Sequence, residues 1–366
     1  MRRGTATLPL HGGKAPAWLM GRMIKLAREI VVIIVSDFGA PEVLRRLSDP
    51  FWFQSFGCLL GFDWHSSGVT TTVSAAVKEG IAGLETELGL FAAGGKGARS
   101  RRTPDEIMAH GHALSIDPAR LVYLSRLTAK VDNNAIQDGY RLYIHNFFFT
   151  PDGHWAVVQQ GMSDETATAR RYHWLSDTIT DMTEEPHAAV CDNRRLDTIM
   201  NLTDKGAVRA RALTTELSHQ QPEKTIREIK TIKRLARPAH HEVTAADIDP
   251  ARIEKILLST YERRPENFEE LLSLSGVGPK TIRALALISE VIYGAPASFS
   301  DPARFSFAHG GKDGHPYPVD RQNYDRSIDT LRSAAQAAKI GITEKREALK
   351  RLDAFYRRFS HDTIIA

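Results

Sequence analysis

The sequence predicts an α+β fold with two domains. A mixed N-terminal domain, residues 1–191, carries a β-hairpin, and an all-helical C-terminal domain, residues 192–366, follows it. The turn residues Pro151-Asp152-Gly153 separate two runs, 141–150 and 154–160, whose aromatic and β-branched side chains are typical of strands. From about residue 192 onward, the spacing of apolar residues is almost wholly helical.

The first half of the chain also contains helical patterns. Trp18–Val35 has apolar residues at helical spacing, although its last part, Ile30–Val35, would equally suit a buried strand. Pro41–Leu47 predicts a second, short helix. Gly94–Arg102, with the sequence GGKGARSRR, is expected to form a flexible basic loop, and Thr103 is expected to cap a helix whose first turn is acidic.

Composition limits the class of protein. A chain of 366 residues with 42% hydrophobic residues is long and apolar enough for a folded protein of two domains. The net charge of +4 indicates a mild preference for anionic partners. The two cysteines, Cys58 and Cys191, have no disulfide or metal-ligand spacing, which predicts a reducing cytoplasm and no iron–sulfur cluster. We expect neither a signal peptide nor a membrane span.

The segment 271–293, LLSLSGVGPKTIRALALISEVIY, predicts two helices around a tight turn. Gly276 and Gly278 can adopt the positive φ angles that such a turn requires. Pro279 suits the first turn of the second helix, because its missing N–H would be unpaired there. A helix N-terminus favours an anion, and Lys280 adds a positive charge.

This segment resembles a helix-hairpin-helix motif, which has a nucleic-acid phosphate bound at the turn. The resemblance implies that the chain binds DNA, or RNA, through the phosphate backbone. The binding residues would be Gly276, Val277, Gly278, Lys280 and Thr281. The alternative is a glycine-rich turn between helices that binds no ligand.

A basic helix, Lys224–Arg237, precedes this motif in the sequence. Isoleucine and leucine residues at helical spacing form an apolar stripe, and Arg227, Lys230 and Arg234 lie off that stripe. The basic side chains would contact the DNA backbone beside the turn without reading sequence. A solvated helix face explains the same pattern equally well.

A group of polar residues in the first half predicts chemistry. Asp63 and His65 lie in FDWHSSG, and Asp132 and Asp138 lie in KVDNNAIQDG. Two carboxylates that hold Mg²⁺ or Mn²⁺ can activate water for phosphodiester hydrolysis, and we expect Asp132 and Asp138 to be the metal ligands. His65 could serve as the general base. The alternatives are an Asx turn or helix cap at Asp132 and a structural histidine at His65.

Several long motifs resemble one family over nearly the whole chain. They are MRRGTATLPLHGGKAP, GFDWHSSGVTTT, KVDNNAIQDGY, QQGM and HGGKDGHPYPVDRQNYD. The chain resembles the prokaryotic domain-of-unknown-function family 763. The resemblance implies little about activity beyond the possibility of nucleic-acid cleavage.

The C-terminal half is also similar to DNA glycosylases of the endonuclease III type. That resemblance implies that Lys280 attacks the sugar carbon and that Asp320 assists it. The segment between these two residues is longer than in those enzymes, and no cysteine cluster follows it. The sequence therefore predicts a DNA-processing enzyme, first a nuclease. A glycosylase with lyase activity and a non-catalytic nucleic-acid-binding protein are the alternatives.

Overall fold

The chain forms three layers, in which helices cover both faces of an antiparallel β-sheet. The computed structural model describes residues 15–62, 67–192, 196, 199–232, 250–303 and 321–361, without the side chains of 250–253, 321–325, 327 and 355–361. The strands are β1 (Phe91–Lys96), β2 (Ile136–Gln137), β3 (Arg141–Phe149), β4 (Trp155–Ser163), β5 (Thr168–Leu175), β6 (Ala189–Cys191) and β7 (Met200–Asn201). Five of them form the central sheet in the order β1-β3-β4-β5-β6, and β2 pairs with β7.

The helices divide between the two faces of the sheet. In chain order they are α1 (Ala17–Phe38), α2 (Ala40–Ser48), α3 (Pro50–Leu60), α4 (Gly68–Ile81), α5 (Glu85–Leu88), α6 (Thr103–Ala109), α7 (Pro118–Lys130), α8 (Val208–Ser218), α9 (Pro222–Ile232), α10 (Pro250–Arg263), α11 (Phe268–Ser273), α12 (Pro279–Val291), α13 (Arg321–Ala337) and α14 (Ile342–His361). One core joins α6–α12 to the sheet, and the other joins α1–α5, α13 and α14 to its opposite face.

Both faces of the sheet are apolar because both are covered. Successive side chains of a strand point to opposite faces. Phe147 and Val157 belong to the core under α6–α12, whereas their neighbours Phe148 and Val158 belong to the core under α1–α5. The sheet therefore separates two hydrophobic cores, and the polar residues at its strand ends lie between helical layers.

The predicted β-hairpin is confirmed, with β3 and β4 joined at Pro151-Asp152-Gly153. Trp18–Val35 is helical throughout, so the strand alternative for its last part is wrong. Gly94–Arg102 is not a loop: it completes β1 and continues as a 3₁₀ turn. Thr103 lies inside the first turn of α6, and its hydroxyl donates to the carbonyl of Ser100 rather than capping the helix.

The described chain from Val208 onward is predominantly helical, in keeping with the pattern of the sequence. The division between residues 191 and 192 stays a prediction. Helices α13 and α14 pack in the same core as α1–α4, and α12 packs in the same core as β3–β5. In the described residues no helix has the combined length and apolar character that a membrane span requires. Cys58 and Cys191 are both buried and unpaired.

Candidate functional site

Asp132 lies at the centre of a buried hydrogen-bond network. It belongs to a π-helical turn, Val131–Ala135, that continues α7, and its side chain is fully buried. Gln159 Nε2 donates to its Oδ2 at 2.6 Å and Trp174 Nε1 donates to the same oxygen at 2.9 Å. His187 Nε2 lies 2.5 Å from its Oδ1. These side chains anchor the π-helical turn to β4 and β5.

The hydrogen bonds of Gln159 and Ser125 determine which ring nitrogen of His145 carries the proton. Because Gln159 donates through its amide nitrogen, its Oε1 must accept from His145 Nδ1, which lies 2.8 Å away. The other ring nitrogen of His145 then carries no proton and accepts from the hydroxyl of Ser125 at 2.8 Å. Burial lowers the pKa of His145 to about 4, so the ring stays neutral near pH 7. We call Ser125, Asp132, His145, Gln159, Trp174 and His187 the Asp132 network.

His145 should make the fold sensitive to acid. Its folded pKa lies below the ordinary value of about 6.5, so the unfolded chain binds more protons between pH 6.5 and 4, and stability falls as pH falls through that window. Between about pH 7 and about pH 5, His145 should cost about 2 kcal/mol. Urea unfolding of the wild type and of His145→Gln at both pH values measures this difference.

The variant should lose less stability than the wild type on acidification, but some loss should remain. Burial and the nearby Arg171 also hold the pKa of His173 well below its ordinary value, so His173 acts in the same direction. Equal losses in wild type and His145→Gln would show that His145 does not cause the acid sensitivity.

Asp138 lies in a second buried group of charges around Arg170. The guanidinium of Arg170 donates to Asp138 Oδ2 at 3.1 Å, to Asp192 Oδ2 at 2.9 Å, and to both oxygens of Asp301 at 3.1 and 2.9 Å. Tyr172 donates its hydroxyl to Asp138 Oδ2 at 2.6 Å. We call Asp138, Arg170, Tyr172, Asp192 and Asp301 the Arg170 cluster; the side chains of its four charged members are at most 2% exposed.

One guanidinium faces three carboxylates in this cluster. Burial opposes its charge, but Asp138, Asp301 and Asp192 outweigh that effect and hold the pKa of Arg170 well above its ordinary value. Burial raises the pKa of Asp138, and Arg170 offsets only part of that rise. Asp138, Asp192 and Asp301 come from three separate segments, so Arg170 links these segments at one end of the sheet.

The two carboxylates expected to bind metal do not fit a divalent cation. Both oxygens of Asp132 face protein partners in the Asp132 network. Both oxygens of Asp138 also accept hydrogen bonds, Oδ1 from the backbone N–H of Tyr140 at 3.0 Å and Oδ2 from Arg170 and Tyr172. Across the described residues, no cluster of three or more candidate ligands could hold a metal ion. We therefore assign Asp132 and Asp138 to positioning.

The glycine-rich turn connects α11 to α12. Gly276 has a φ of +87°, which favours glycine, whereas Gly278 is extended with a φ of −131° and does not need positive φ. Pro279 occupies the first turn of α12 as predicted, and no side chain caps this helix. Gly276 and Lys280 are exposed, whereas Val277 and Thr281 are buried.

The segment that follows α7 supports this turn from the side of the sheet. Lys130 Nζ donates to the carbonyls of Ser273 and Leu274 at 3.2 and 2.6 Å. Asn134 Nδ2 donates to the carbonyl of Val277 at 3.4 Å. Gln137 connects to both sides of the turn's end, because its Nε2 donates to the carbonyl of Pro279 at 2.9 Å and its Oε1 accepts from Arg283 at 2.5 Å.

The polar residues of KVDNNAIQDG thus have structural contacts that the sequence did not reveal. Lys130, Asn134 and Gln137 hold the turn between α11 and α12, and Asp132 anchors the same segment to the sheet. The alternative of an Asx turn or cap at Asp132 does not describe its contacts, which reach across the sheet.

Other candidate residues are only partly placed. Arg227 and Lys230 are exposed on α9, whose Ile229 and Ile232 are buried as the apolar stripe predicted. Glu228 of α9 accepts a hydrogen bond from the hydroxyl of Tyr293 at 3.1 Å. Tyr293 follows the C-terminal end of α12, whereas the glycine-rich turn precedes its N-terminal end. The other four candidates lie outside the described residues: Asp63, His65, Arg234 and Asp320.

Sequence reasoning missed Arg170, Trp174 and His187, which carry no motif. A signal was present, since β5 reads TARRYHWL and places two adjacent arginines in a strand with aromatic and aliphatic residues. Charged residues that are fully buried require partners. Arg170 and Arg171 are both fully buried, and they point to opposite faces of the sheet.

Comparison with known proteins shows the family to which the chain belongs. A search of curated proteins and a search of solved structures each produced no match. The family model described as "Protein of unknown function (DUF763)" matches residues 4–319. That range covers most of the chain and confirms the resemblance that the motifs indicated. The chain therefore belongs to the DUF763 family of proteins of unknown function.

Proposed function

We propose that this protein binds DNA through the phosphate backbone, with the turn Gly276–Thr281 acting as a helix-hairpin-helix motif. The observation that carries the proposal is the support of this turn by Lys130, Asn134 and Gln137. These side chains donate to carbonyl oxygens in the turn and just before it, and the same oxygens would repel an anion if they faced it.

The N–H groups of the turn favour an anion. In the described part of the chain, the N–H groups of Gly278 and Thr281 have no protein acceptor, and α12 has no side-chain cap. The positive end of the helix dipole lies at the same place. Because phosphate carries no base identity, we expect little sequence preference and strong dependence on salt.

Cleavage remains a second proposal with less support. A lyase lysine must be deprotonated at neutral pH, which burial would favour, and Lys280 is exposed. Metal-assisted hydrolysis has less support, because the carboxylates of Asp132 and Asp138 accept hydrogen bonds from protein donors. Asp63, His65 and Asp320 stay predicted catalytic residues.

Gly278→Asp should weaken DNA binding strongly without harming the fold. The extended backbone of Gly278 accepts any residue, and a Cβ there would meet nothing closer than 4.0 Å. Aspartate is a favourable N-cap, so it would bond the helix N–H groups and add a negative charge where phosphate binds. We expect at least a tenfold loss of affinity for a fluorescent duplex at low salt, with an unchanged or higher melting temperature.

Gly278→Asn is the matched control, because asparagine caps the helix equally well without the charge. Its loss of affinity should be smaller than that of Gly278→Asp. Labelled single-stranded, duplex and abasic DNA, each with and without EDTA, test cleavage in the same samples. Full affinity of Gly278→Asp would exclude the turn as the binding site.

A further inference from the structure

We propose a second DNA-backbone contact on the 3₁₀ turn that follows β1. This basic turn consists of Lys96 and Gly97–Arg102. The inference rests on the proposed function, because it assigns another part of the molecule to the same partner. We call the proposed DNA-binding turn Gly276–Thr281 the hairpin turn. The new inference concerns a different segment, GGKGARSRR at residues 94–102, to which the proposed function assigns no role.

Four cations are concentrated on the basic turn. Lys96, Arg99, Arg101 and Arg102 are all exposed, within seven consecutive residues. Among the described residues, none of the four forms an ion pair with a carboxylate, although Lys96 lies over the ring of Tyr143 at 5.6 Å. Four like charges held together repel one another, and a polyanion such as a phosphate backbone relieves that repulsion.

Hydrogen bonds support the backbone of the basic turn and of the strand end before it. Glu106 Oε2 accepts from the N–H of Gly94 at 2.7 Å and from Lys78 Nζ at 2.6 Å, and Lys78 also donates to the carbonyl of Gly94 at 2.9 Å. Ser100 Oγ closes the turn by donating to the carbonyl of Gly97 at 2.6 Å. The cations therefore project from an ordered support, which reduces the entropy lost on binding.

Glycine is required where β1 ends. Gly94 has a φ of +96°, and a Cβ there would lie 2.1 Å from the carbonyl oxygen of His145. Gly95 and Gly97 also have positive φ angles, of +149° and +62°. The sequence spacing of these glycines thus matches a specific turn rather than the flexible loop that we expected.

The basic turn and the hairpin turn lie toward the same end of the sheet. Lys96 pairs with Ile144 near the start of β3, and Gln137, which contacts Pro279, precedes β3 by only four residues. Gln137 and Ile144 are seven residue steps apart, a span of at most about 25 Å. With one strand spacing of about 5 Å, the backbones of Gln137 and Lys96 lie within roughly 30 Å of each other, the length of about nine base pairs.

Duplex length should reveal this second contact. A duplex of about 6 base pairs is shorter than this limit of roughly 30 Å, whereas one of about 16 base pairs exceeds it. The wild type should bind the longer duplex at least tenfold more tightly. The triple variant Arg99→Ala, Arg101→Ala, Arg102→Ala should lose most of that gain. Its plot of log affinity against log salt should be less steep by about two to three.

A matched variant removes three exposed cations from elsewhere: Arg120→Ala, Lys205→Ala, Arg209→Ala. It should keep the gain with length, since these residues lie outside the basic turn. Wild-type behaviour of the Arg99 triple variant on both duplexes would overturn the second contact and leave the hairpin proposal standing. Loss of binding in that variant with full binding by Gly278→Asp would instead overturn the hairpin proposal. No binding by the wild type to either duplex would overturn both.

Discussion

Arg170→Met is expected to destabilise the fold strongly at neutral pH. Methionine fills much of the space of arginine but leaves Asp138, Asp192 and Asp301 buried without their shared cation. Removing one partner of a single buried ion pair costs about 3–5 kcal/mol, and a typical protein has only about 5–15 kcal/mol of stability. We therefore expect a loss above 4 kcal/mol, measured by urea denaturation followed by circular dichroism.

Acid should partly rescue this variant. Burial raises the pKa of Asp138 and Arg170 opposes that rise, so the loss of Arg170 should raise this pKa further. A raised carboxylate pKa means that the folded state binds more protons, and its stability increases as pH falls through the folded pKa. Between about pH 7 and about pH 5, Arg170→Met should lose less stability than the wild type, or gain some.

Asp138→Asn supplies the control, because it removes one of three carboxylates and leaves Asp192 and Asp301 to neutralise Arg170. Its amide cannot accept at both former oxygen positions, so we expect a loss of about 1–2 kcal/mol. A stability of Arg170→Met equal to that of Asp138→Asn would show that the cluster does not depend on its cation.

The sequence predicted local structure better than it predicted contacts between distant segments. The β-hairpin was predictable because Pro151-Asp152-Gly153 specifies its turn locally. The rest of the sheet was not, since β5 carries Arg170 and Arg171, whose burial is explained only by partners from segments distant in sequence. Strand β1 was not predicted for a different reason: the glycine and lysine residues at its end are typical of a loop.

The candidate site shows the same limit. The turn at Gly276 and Pro279 follows from residue types whose backbone geometry is local. The sequence singled out Asp132 and Asp138 as metal ligands, but a carboxylate beside amides is compatible with metal binding and with a buried hydrogen-bond network. Only their partners, Trp174 and Arg170, distinguish these roles.

These contacts connect the sheet to the proposed DNA-binding turn. Asp132 anchors the π-helical turn Val131–Ala135 to Gln159 and Trp174, and residues on either side of it hold the turn between α11 and α12. Lys130 reaches the carbonyl of Leu274, and Gln137 reaches that of Pro279. A change that frees the π-helical turn should therefore weaken both stability and DNA binding.

Asp132→Ala should show this double effect. It leaves the donors Gln159 Nε2 and Trp174 Nε1 buried without an acceptor, and each buried unsatisfied group costs about 1–3 kcal/mol. We expect a loss of about 3–5 kcal/mol in urea denaturation. Below the melting temperature, affinity for a 16-base-pair duplex, about 54 Å long, should also fall severalfold.

Asp132→Asn separates a positioning role from a catalytic one. The side-chain oxygen of asparagine can accept from both Gln159 and Trp174, which share Oδ2 of Asp132, and its amide can donate to Nε2 of His187 in the other tautomer. We therefore expect a loss below about 1.5 kcal/mol and DNA affinity near that of the wild type. Cleavage distinguishes the two roles. If Asp132 were a metal ligand or general base, Asp132→Asn would abolish cleavage while the fold and DNA binding persisted. Destabilisation of Asp132→Asn equal to that of Asp132→Ala would show that the negative charge itself is needed, and the hydrogen-bond account of Asp132 would be wrong.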